Sequence, residues 1–502
     1  MHSRHSHELL TVICCVAALV LGACASSSGS GSGKRTIILQ ESPPDESADG
    51  QPTRRKEPVL VSKAEDARVG REATRQVEAE IGILDDDELN AYVNRIGQRL
   101  LKGLPHRSFK YEFHVVDQVE PNAFALPGGF IFISRGLLAL ANNEDELANV
   151  VGHEITHAAQ RHAAARQALI KQKGMLLILP TQAADVAAYG RDMERSADKG
   201  GQILAAAAGY DPQGMATFMG SLRDRERLLH GASRRARFFD THPTSSERAS
   251  VNAIRASEIR WVRNPALGDT VVSHLREIDG IDIGPRPEGG VFVDERFLHP
   301  DLDFQVRFPD GWRTMNSRRA VGAQAPRGEA VVFLNAESKD LDPKAAAEAF
   351  IEETQRQGSV KITKSKPVKV PGGDGWRLEV EAAQRGGTVT ALVTFLPHGD
   401  ALWRFTGASL AFDSQKYQGR MLNTFRSFRP LTPEQRASIQ GTRLSVVKAR
   451  DGETIAQLCD RTDNVWSVPE TSLSNGVLGQ RVLEGGRLVK IARSYPYEPR
   501  RP

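Results

Sequence analysis

The segment His153-Glu154-Ile155-Thr156-His157 has the residue types and the spacing of a catalytic zinc site. On a helix, residues four positions apart lie on one face, so both imidazoles can reach a single Zn²⁺. Glu154 then lies beside the metal, where its carboxylate can take a proton from an attacking water. The segment therefore predicts a metal-dependent hydrolytic site, provided that a helix and further ligands surround it.

The residues around this segment favour a helix. Glu144-Asp145-Glu146 precede it, and acidic groups stabilise a helix N-terminus. A buried face is indicated by apolar residues at helical spacing, namely Leu147, Val150, Val151, Ile155 and Ala158. Gly152 lowers helix stability, but it would let another backbone pass close to the metal.

A third ligand is needed to complete a zinc site, and Glu194 is the candidate. Glu194 and Asp198 are four residues apart, so both carboxylates lie on one face if this segment is helical. Glu194 would complete a His₂Glu site, and Asp198 would accept the free ring N–H of a zinc-binding histidine. The alternative is a solvated charged turn, because other charged residues flank the pair. His162 is more simply explained as a surface histidine or a supporting residue than as a ligand.

Four motifs in order resemble the gluzincin zinc peptidases of the HtpX, BepA and CAAX-prenyl-protease type. They are His153–His157, Glu194–Asp198, Asn122–Gly129 and His242-Pro243, and the resemblance extends from about residue 64 to 258. It implies a zinc endopeptidase with one Zn²⁺ per chain, in which His153, His157 and Glu194 are the ligands and Glu154 is the general base.

The resemblance favours the soluble periplasmic members of this group. The apolar run Met175–Leu179 ends at Pro180 and is too short to cross a bilayer.

The stretch after Asn122 suggests where an extended substrate would bind. Phe130–Ile133 is a short β-prone run that follows a Pro-Gly-Gly turn. If this strand offers a free edge beside the zinc helix, a peptide can add to it as a further strand. Gly128, Gly129 and Phe130 are then the predicted substrate-binding residues, since the glycines allow close approach. The alternative is a buried core strand with an ordinary turn.

Two further residues have more than one interpretation. His242 either donates a hydrogen bond to the developing oxyanion or binds the metal as an inhibitory fourth ligand. It is also explained as an ordinary loop residue beside Pro243. Arg248 would pair with a carboxylate near the site, contact substrate, or lie on the surface.

The N-terminus has the features of an export signal. Arg4 is followed by an apolar stretch, Leu9–Leu21, and by Leu21-Gly22-Ala23-Cys24, which resembles a bacterial lipobox. Processing would leave Cys24 acylated at the new N-terminus. Because Ala25 rather than Asp follows, the resemblance implies the outer membrane in a Gram-negative cell. The alternative is a plain signal peptide with an incidental cysteine. Cys14 and Cys15 would be removed with the signal, so no intramolecular disulfide is expected.

The chain is expected to be a multidomain α+β protein. The predicted divisions are a lipoprotein signal peptide (1–23), a flexible tether (24–60), a mainly helical zincin-type peptidase domain with a small sheet (61–280), a linker (281–293), an α+β accessory domain (294–430) and a LysM-like module (442–492). The accessory domain resembles sandwich modules of the PsbP-like sort. Its predicted strands are Phe304–Phe308, Ala330–Leu334, Trp376–Glu381, Thr388–Phe395 and Ala401–Gly407, and its predicted helices are Ala345–Gln357 and Gln415–Ser427.

The predicted function is zinc-dependent hydrolysis of misfolded or misassembled cell-envelope proteins in the periplasm. The protein would be held at the membrane by its lipid anchor, with peptidoglycan as a further partner of the LysM-like module. A net charge of +4 on 502 residues gives no indication of nucleic-acid binding. The competing hypothesis is a non-catalytic envelope scaffold or peptidoglycan-binding lipoprotein. The intact zinc motif favours the enzyme.

Overall fold

The computed structural model describes residues 61–173, 180–228, 242, 246–337, 342–356, 360–370, 373–384, 387–477 and 482–498. The predicted signal peptide, tether and lipidated Cys24 lie outside these residues. Among the helices in the described ranges, none has both the length and the apolar character needed to cross a membrane.

Helices surround a small sheet in the first part of the chain. The helices are α1 (Lys63–Glu80), α2 (Asp87–Leu100), α3 (Arg135–Leu140), α4 (Glu144–Ala159), α5 (His162–Lys173), α6 (Pro180–Ala207), α7 (Gly214–Leu228), α8 (Ser246–Glu258) and α9 (Thr270–Glu277). The buried apolar face of α4 lies at the centre of the main core, together with residues of α2, α3 and α7.

The sheet comprises β1 (Glu112–Val116), β2 (Ala123–Leu126) and β3 (Phe130–Ser134), in the order β1-β3-β2. β3 pairs in parallel with β1 and antiparallel with β2, and all five of its residues are buried. The prediction that residues 130–133 offer a free edge is therefore wrong. The core-strand alternative holds because β3 is paired on both sides, and β2 is the edge strand that packs against α4.

The second part of the chain is built mainly from strands. A three-stranded sheet contains β4 (Val291–Val293), β5 (Arg296–His299) and β6 (Phe304–Arg307). A seven-stranded sheet has the order β10-β11-β12-β13-β9-β8-β7, with β7 (Arg313–Asn316), β8 (Val321–Gln324), β9 (Ala330–Ala336), β10 (Val360–Val370), β11 (Gly373–Gln384), β12 (Gly387–His398) and β13 (Ala401–Leu410). Two helices, α10 (Pro343–Arg356) and α11 (Ser414–Arg426), pack on this sheet. The five strands and two helices predicted here are confirmed to within a few residues.

The last part of the chain is a small unit with two paired strands. It contains α12 (Pro433–Ala437), β14 (Gln440–Lys448), α13 (Ile455–Arg461), α14 (Val468–Ser474) and β15 (Leu488–Pro496), and β14 pairs antiparallel with β15. We call residues 440–496 the C-terminal module.

The C-terminal module packs directly against the helical part. Leu444 of β14 belongs to the main core around α4, and α14 contacts α7. Backbone hydrogen bonds join Gly280, the last residue of the predicted peptidase domain, to Leu444, and Ile283 of the predicted linker to Thr442. The chain thus combines helices and several sheets, as expected, and its last strands return to the helices that precede residue 280.

Candidate active site

Helix α4 begins at a residue whose side chain favours that position. The side chain of Asn143 accepts a hydrogen bond from the N–H of Glu146 at 2.8 Å and caps the helix N-terminus. Three acidic residues follow in the first turn. The helix carries His153, Glu154 and His157, so the predicted helical placement of the motif is confirmed.

Two glycines let α4 and α6 cross at close range. A Cβ atom on Gly152 would lie 2.9 Å from the carbonyl oxygen of Gly201, and a Cβ on Gly201 would lie 2.7 Å from the backbone nitrogen of His153. Neither position has room for a side chain without a shift of one helix. The prediction that Gly152 admits another backbone is confirmed, and the crossing brings Glu194 of α6 to the face of α4 that carries the histidines.

Four side chains from three segments converge at this crossing. Atoms able to bind a metal, one from each of His153, His157, Glu194 and His242, all lie within 4.8 Å of one another. The Nε2 atoms of His153 and His157 are 2.9 Å apart, and the Glu194 carboxylate lies 3.6 Å and 3.4 Å from them. The structure therefore brings the three predicted ligands together.

A buried ionic group holds the back of this cluster. Asp198 lies 3.0 Å from Nδ1 of His153 and accepts hydrogen bonds from Arg248 at 2.9 Å and 2.7 Å and from Asn252 at 3.1 Å. Arg248 also lies 3.2 Å from Glu194. Although burial opposes ionisation, these partners hold the pKa of Asp198 well below its ordinary value. Of the alternatives for Arg248, pairing with carboxylates near the site is confirmed.

His157 is supported by a second histidine. Its Nδ1 lies 2.9 Å from Nδ1 of His162, whose Nε2 lies 2.9 Å from Oε1 of Gln160. Burial lowers the pKa of His157 well below its ordinary value and that of His162 to about 4. Both rings are therefore neutral at neutral pH, which is the form in which imidazole binds metals.

Glu154 is fully buried beside the cluster. Its carboxylate lies 3.4 Å from Nε2 of His242. Burial raises the pKa of Glu154, and the charges of His242 and His153 oppose that rise. A raised pKa suits a carboxylate that takes a proton and later returns it.

His242 lies inside the cluster rather than on the surface. Its Nδ1 is 3.1 Å from Glu194 and 3.2 Å from Nε2 of His153, and its Nε2 is 3.3 Å from the carbonyl oxygen of Ala123 on the edge strand. Burial disfavours the charged ring, but the carboxylates of Glu154 and Glu194 raise the pKa of His242. The ring therefore faces both the ligand cluster and the strand that a substrate would meet.

The hydrogen-bond directions provide a test of whether these residues fit a metal. Because a carboxylate only accepts, Nδ1 of His153 carries the proton towards Asp198, and its Nε2 is left with a lone pair. If His157 likewise donates from Nδ1 to His162, two Nε2 lone pairs face each other at 2.9 Å. A cation between them removes the repulsion. Two imidazole nitrogens and one carboxylate are a donor set that Zn²⁺ prefers, so the residues fit the ion.

The predicted substrate-binding residues lie at the end of the small sheet. Gly128 and Gly129 have φ angles of +90° and +96°, which favour glycine, and a Cβ on Gly128 would lie 2.6 Å from Cα of Ala67 in α1. The close approach at Gly128 is thus made by the protein's own first helix. Gly128 and Phe130 also line a groove of about 670 Å³ beside α1. Their role in substrate binding stays a prediction.

Some residues of the site have no recognisable sequence pattern. Gln160, Asn252 and Gly201 support the cluster, but each has a residue type that is common on any helix. Of these, Gly201 alone could have been suspected from the sequence, because it and Gly152 are small residues that allow two helices to approach closely. Asn252 lies four residues after Arg248, so both face Asp198 from one side of α8.

Comparison with known proteins agrees with the site. Residues 87–256 match the model of Peptidase family M48. The chain is 29% identical over 224 residues to the beta-barrel assembly-enhancing protease of Escherichia coli K12, covering 40% of this chain and 45% of the relative. It is 30% identical over 199 residues to the mitochondrial metalloendopeptidase OMA1 of Schizosaccharomyces pombe, covering 36% and 58%. The helical part is thus homologous to these metallopeptidases.

The chain spans about half the length of the curated relatives it matches. Among solved structures, a cyanobacterial PsbP from Synechocystis matches with 12% identity and a TM-score of 0.24, covering 28% of this chain and 96% of that one. That TM-score is too low to support a shared fold.

Proposed function

We propose that this chain is a zinc-dependent endopeptidase that hydrolyses misfolded or misassembled proteins of the cell envelope. One observation carries the proposal: metal-binding atoms of His153, His157 and Glu194 converge beside the buried carboxylate of Glu154. The homology to metallopeptidases supports it independently.

His153, His157 and Glu194 would hold the ion, and Asp198 would keep the ring of His153 in its metal-binding form. When bound, Zn²⁺ acidifies a water molecule and polarises the carbonyl group of the scissile peptide. Glu154 takes the proton from the attacking water and passes it to the leaving amine. Its raised pKa strengthens the carboxylate as a proton acceptor.

His242 lies where it can contact either the ion or the substrate. Its Nε2–H would donate to the oxygen that becomes negative during attack, which is worth about 3 kcal/mol for one such donor. If instead its Nδ1 binds the ion, the ring blocks the position that the water needs. The two roles predict opposite effects of His242→Ala on activity, a decrease for the first and an increase for the second.

The edge strand β2 would position an extended substrate. Its Ala123 carbonyl oxygen lies 3.3 Å from His242, so a peptide paired with β2 passes the proposed metal position. An unfolded protein such as casein is therefore the appropriate substrate for an assay.

The test compares Glu154→Gln with wild type. Because Gln cannot take a proton but has the same shape, the variant should keep its zinc and its unfolding temperature and lose cleavage by about 10²–10⁴-fold. Glu88→Gln, which removes an exposed carboxylate at the start of α2, controls for the loss of one charge. Equal cleavage by Glu154→Gln and wild type, with contaminating proteases excluded, would favour the non-catalytic scaffold instead.

The proposed location follows from the N-terminal sequence. Acylation of Cys24 would hold the protein at the periplasmic side of the outer membrane, where unassembled envelope proteins are exposed, and the C-terminal module would add contact with peptidoglycan. Mass spectrometry of the mature N-terminus provides the check. A free Cys24 or an uncleaved leader would rule out the anchor without affecting the peptidase proposal.

A further inference from the structure

A chain of hydrogen bonds behind His157 has no role in the reaction proposed above. His157 Nδ1 and His162 Nδ1 are 2.9 Å apart, His162 Nε2 lies 2.9 Å from Oε1 of Gln160, and the hydroxyl of Ser196 lies 2.7 Å from the same Oε1. Gln160 and His162 follow directly after α4, and Ser196 lies on α6 two residues after Glu194. This series of hydrogen bonds therefore connects α4 and α6, the two helices that carry the proposed ligands.

The chemistry of these groups limits how the protons can be arranged. An amide oxygen accepts hydrogen bonds, so Oε1 of Gln160 receives them from the Ser196 hydroxyl and from Nε2–H of His162. A neutral imidazole has one N–H, so Nδ1 of His162 then has a lone pair and accepts from Nδ1–H of His157. In this setting Nε2 of His157 is unprotonated, and it faces His153 Nε2 at 2.9 Å and Glu194 at 3.4 Å.

The opposite setting is also self-consistent but excludes a metal. If the amide of Gln160 turns round, its NH₂ donates to Nε2 of His162, and Nδ1–H of His162 donates to His157. His157 then carries its proton on Nε2, where a metal needs a lone pair. The same atoms thus have two hydrogen-bonding settings, and only one of them allows His157 to bind an ion.

We propose that His162 and Gln160 are positioning residues that hold His157 in its metal-binding tautomer. This inference rests on the proposed metal site. His162 is 8% exposed, so its hydrogen bond to His157 is largely shielded from water. In this structure the Ser196 hydroxyl donates to the oxygen of Gln160, so the amide has the orientation of the metal-binding setting.

The experiment measures the zinc dissociation constant of the full chain by competition with a chelator. All variants are made in a Glu154→Gln background to prevent self-cleavage. His162→Phe removes the acceptor and should weaken zinc binding by about 10–100-fold. His162→Asn places an amide oxygen near the former Nδ1 and should restore most of the affinity. His299→Phe, which alters a half-buried histidine on β5, controls for general destabilisation and should leave the affinity unchanged.

A second measurement separates positioning from loss of structure. Histidine-selective ¹⁵N labelling of the metal-free protein should show His157 protonated at Nδ1 in the parent. In His162→Phe the population should shift towards Nε2 protonation. Zinc binding to His162→Phe as tight as in the parent, or no change in tautomer, would overturn the inference alone. A parent protein that binds no zinc would instead overturn the proposed function.

Discussion

Lys490 of the C-terminal module is completely buried against the start of the helix that carries the zinc motif. Its ammonium group donates to the carbonyl oxygens of Ala139, Leu140 and Ala141 at 2.9, 3.2 and 2.8 Å. These carbonyls lie at the C-terminal end of α3, just before the N-cap of α4, where a cation is favourable and the last carbonyls have no partner within the helix. We predict that Lys490→Met destabilises the peptidase region.

The size of the effect follows from the groups left behind. Without Lys490 the carbonyls of Ala139 and Leu140 lose this donor, whereas that of Ala141 keeps Nε2 of His274 at 3.1 Å. Each buried acceptor without a partner costs about 1–3 kcal/mol. The variant no longer buries an ammonium group, which offsets part of the loss. The net decrease in unfolding free energy should be about 2–5 kcal/mol, which lowers the unfolding temperature by roughly 4–20 °C for a domain of this size.

Thermal unfolding followed by circular dichroism provides the assay, with zinc content measured in parallel. Lys448→Met is the matched control, because Lys448 is exposed on β14, the strand paired with β15. It should unfold within about 2 °C of wild type, since exposed substitutions rarely change stability by more than about 0.5 kcal/mol. If both variants unfold at the same temperature, the buried lysine does not hold the two parts together.

Two further predictions concern residues that pack against α3 and α4, namely His274 on α9 and Gly201 on α6. Burial lowers the pKa of His274 from 6.5 to about 3. As the pH falls below 6.5, the imidazole is therefore protonated in the unfolded chain before it is protonated in the folded one. The free energy of unfolding then decreases by about 1.4 kcal/mol for each pH unit between pH 6.5 and pH 3. In urea unfolding at pH 7, 6 and 5, the free energy of unfolding should therefore decrease less steeply with acid for His274→Gln than for wild type. The same slope in both proteins would contradict this role of His274. Gly201→Ala should cost about 1–3 kcal/mol and weaken zinc binding, because its Cβ would lie 2.7 Å from the backbone of His153. Gly220→Ala on α7, where a Cβ meets no atom within 4 Å, should leave zinc binding unchanged, and equal effects of the two changes would contradict the close-crossing argument.

The chemistry of the site could be predicted because its main residues lie four positions apart in the sequence, and that spacing places them on one face of a helix. His153 and His157 face one way on any helix, and so do Glu194 and Asp198. The acidic residues before the motif and its apolar spacing predict a helix that the structure places at Glu144–Ala159. The five predicted strands of the second part were also recognisable locally, since short runs rich in apolar, β-branched and aromatic residues indicate strands. β10 was missed because Val360–Val370 is an exposed edge strand rich in lysine.

The sheet beside the site shows where local patterns fail. Phe130–Ser134 is a recognisable strand, but its position between β1 and β2 depends on a parallel pairing with Glu112–Val116. Nothing in either segment specifies that pairing. The edge strand that packs against α4 is therefore β2, whose four residues are less distinctly β-prone than those of β3.

The buried position of Lys490 could not be predicted from the residues next to it in the sequence. In the sequence it is one lysine in a β-prone run, and an exposed position would be expected for it. Its buried position arises because three carbonyls at the end of α3 need donors and because Glu146, in the first turn of α4, attracts its charge. These partners lie about 350 residues away in the chain. The C-terminal module is thus connected to the helix that carries His153, Glu154 and His157, and a partner that displaced the module would remove a donor from the start of that helix.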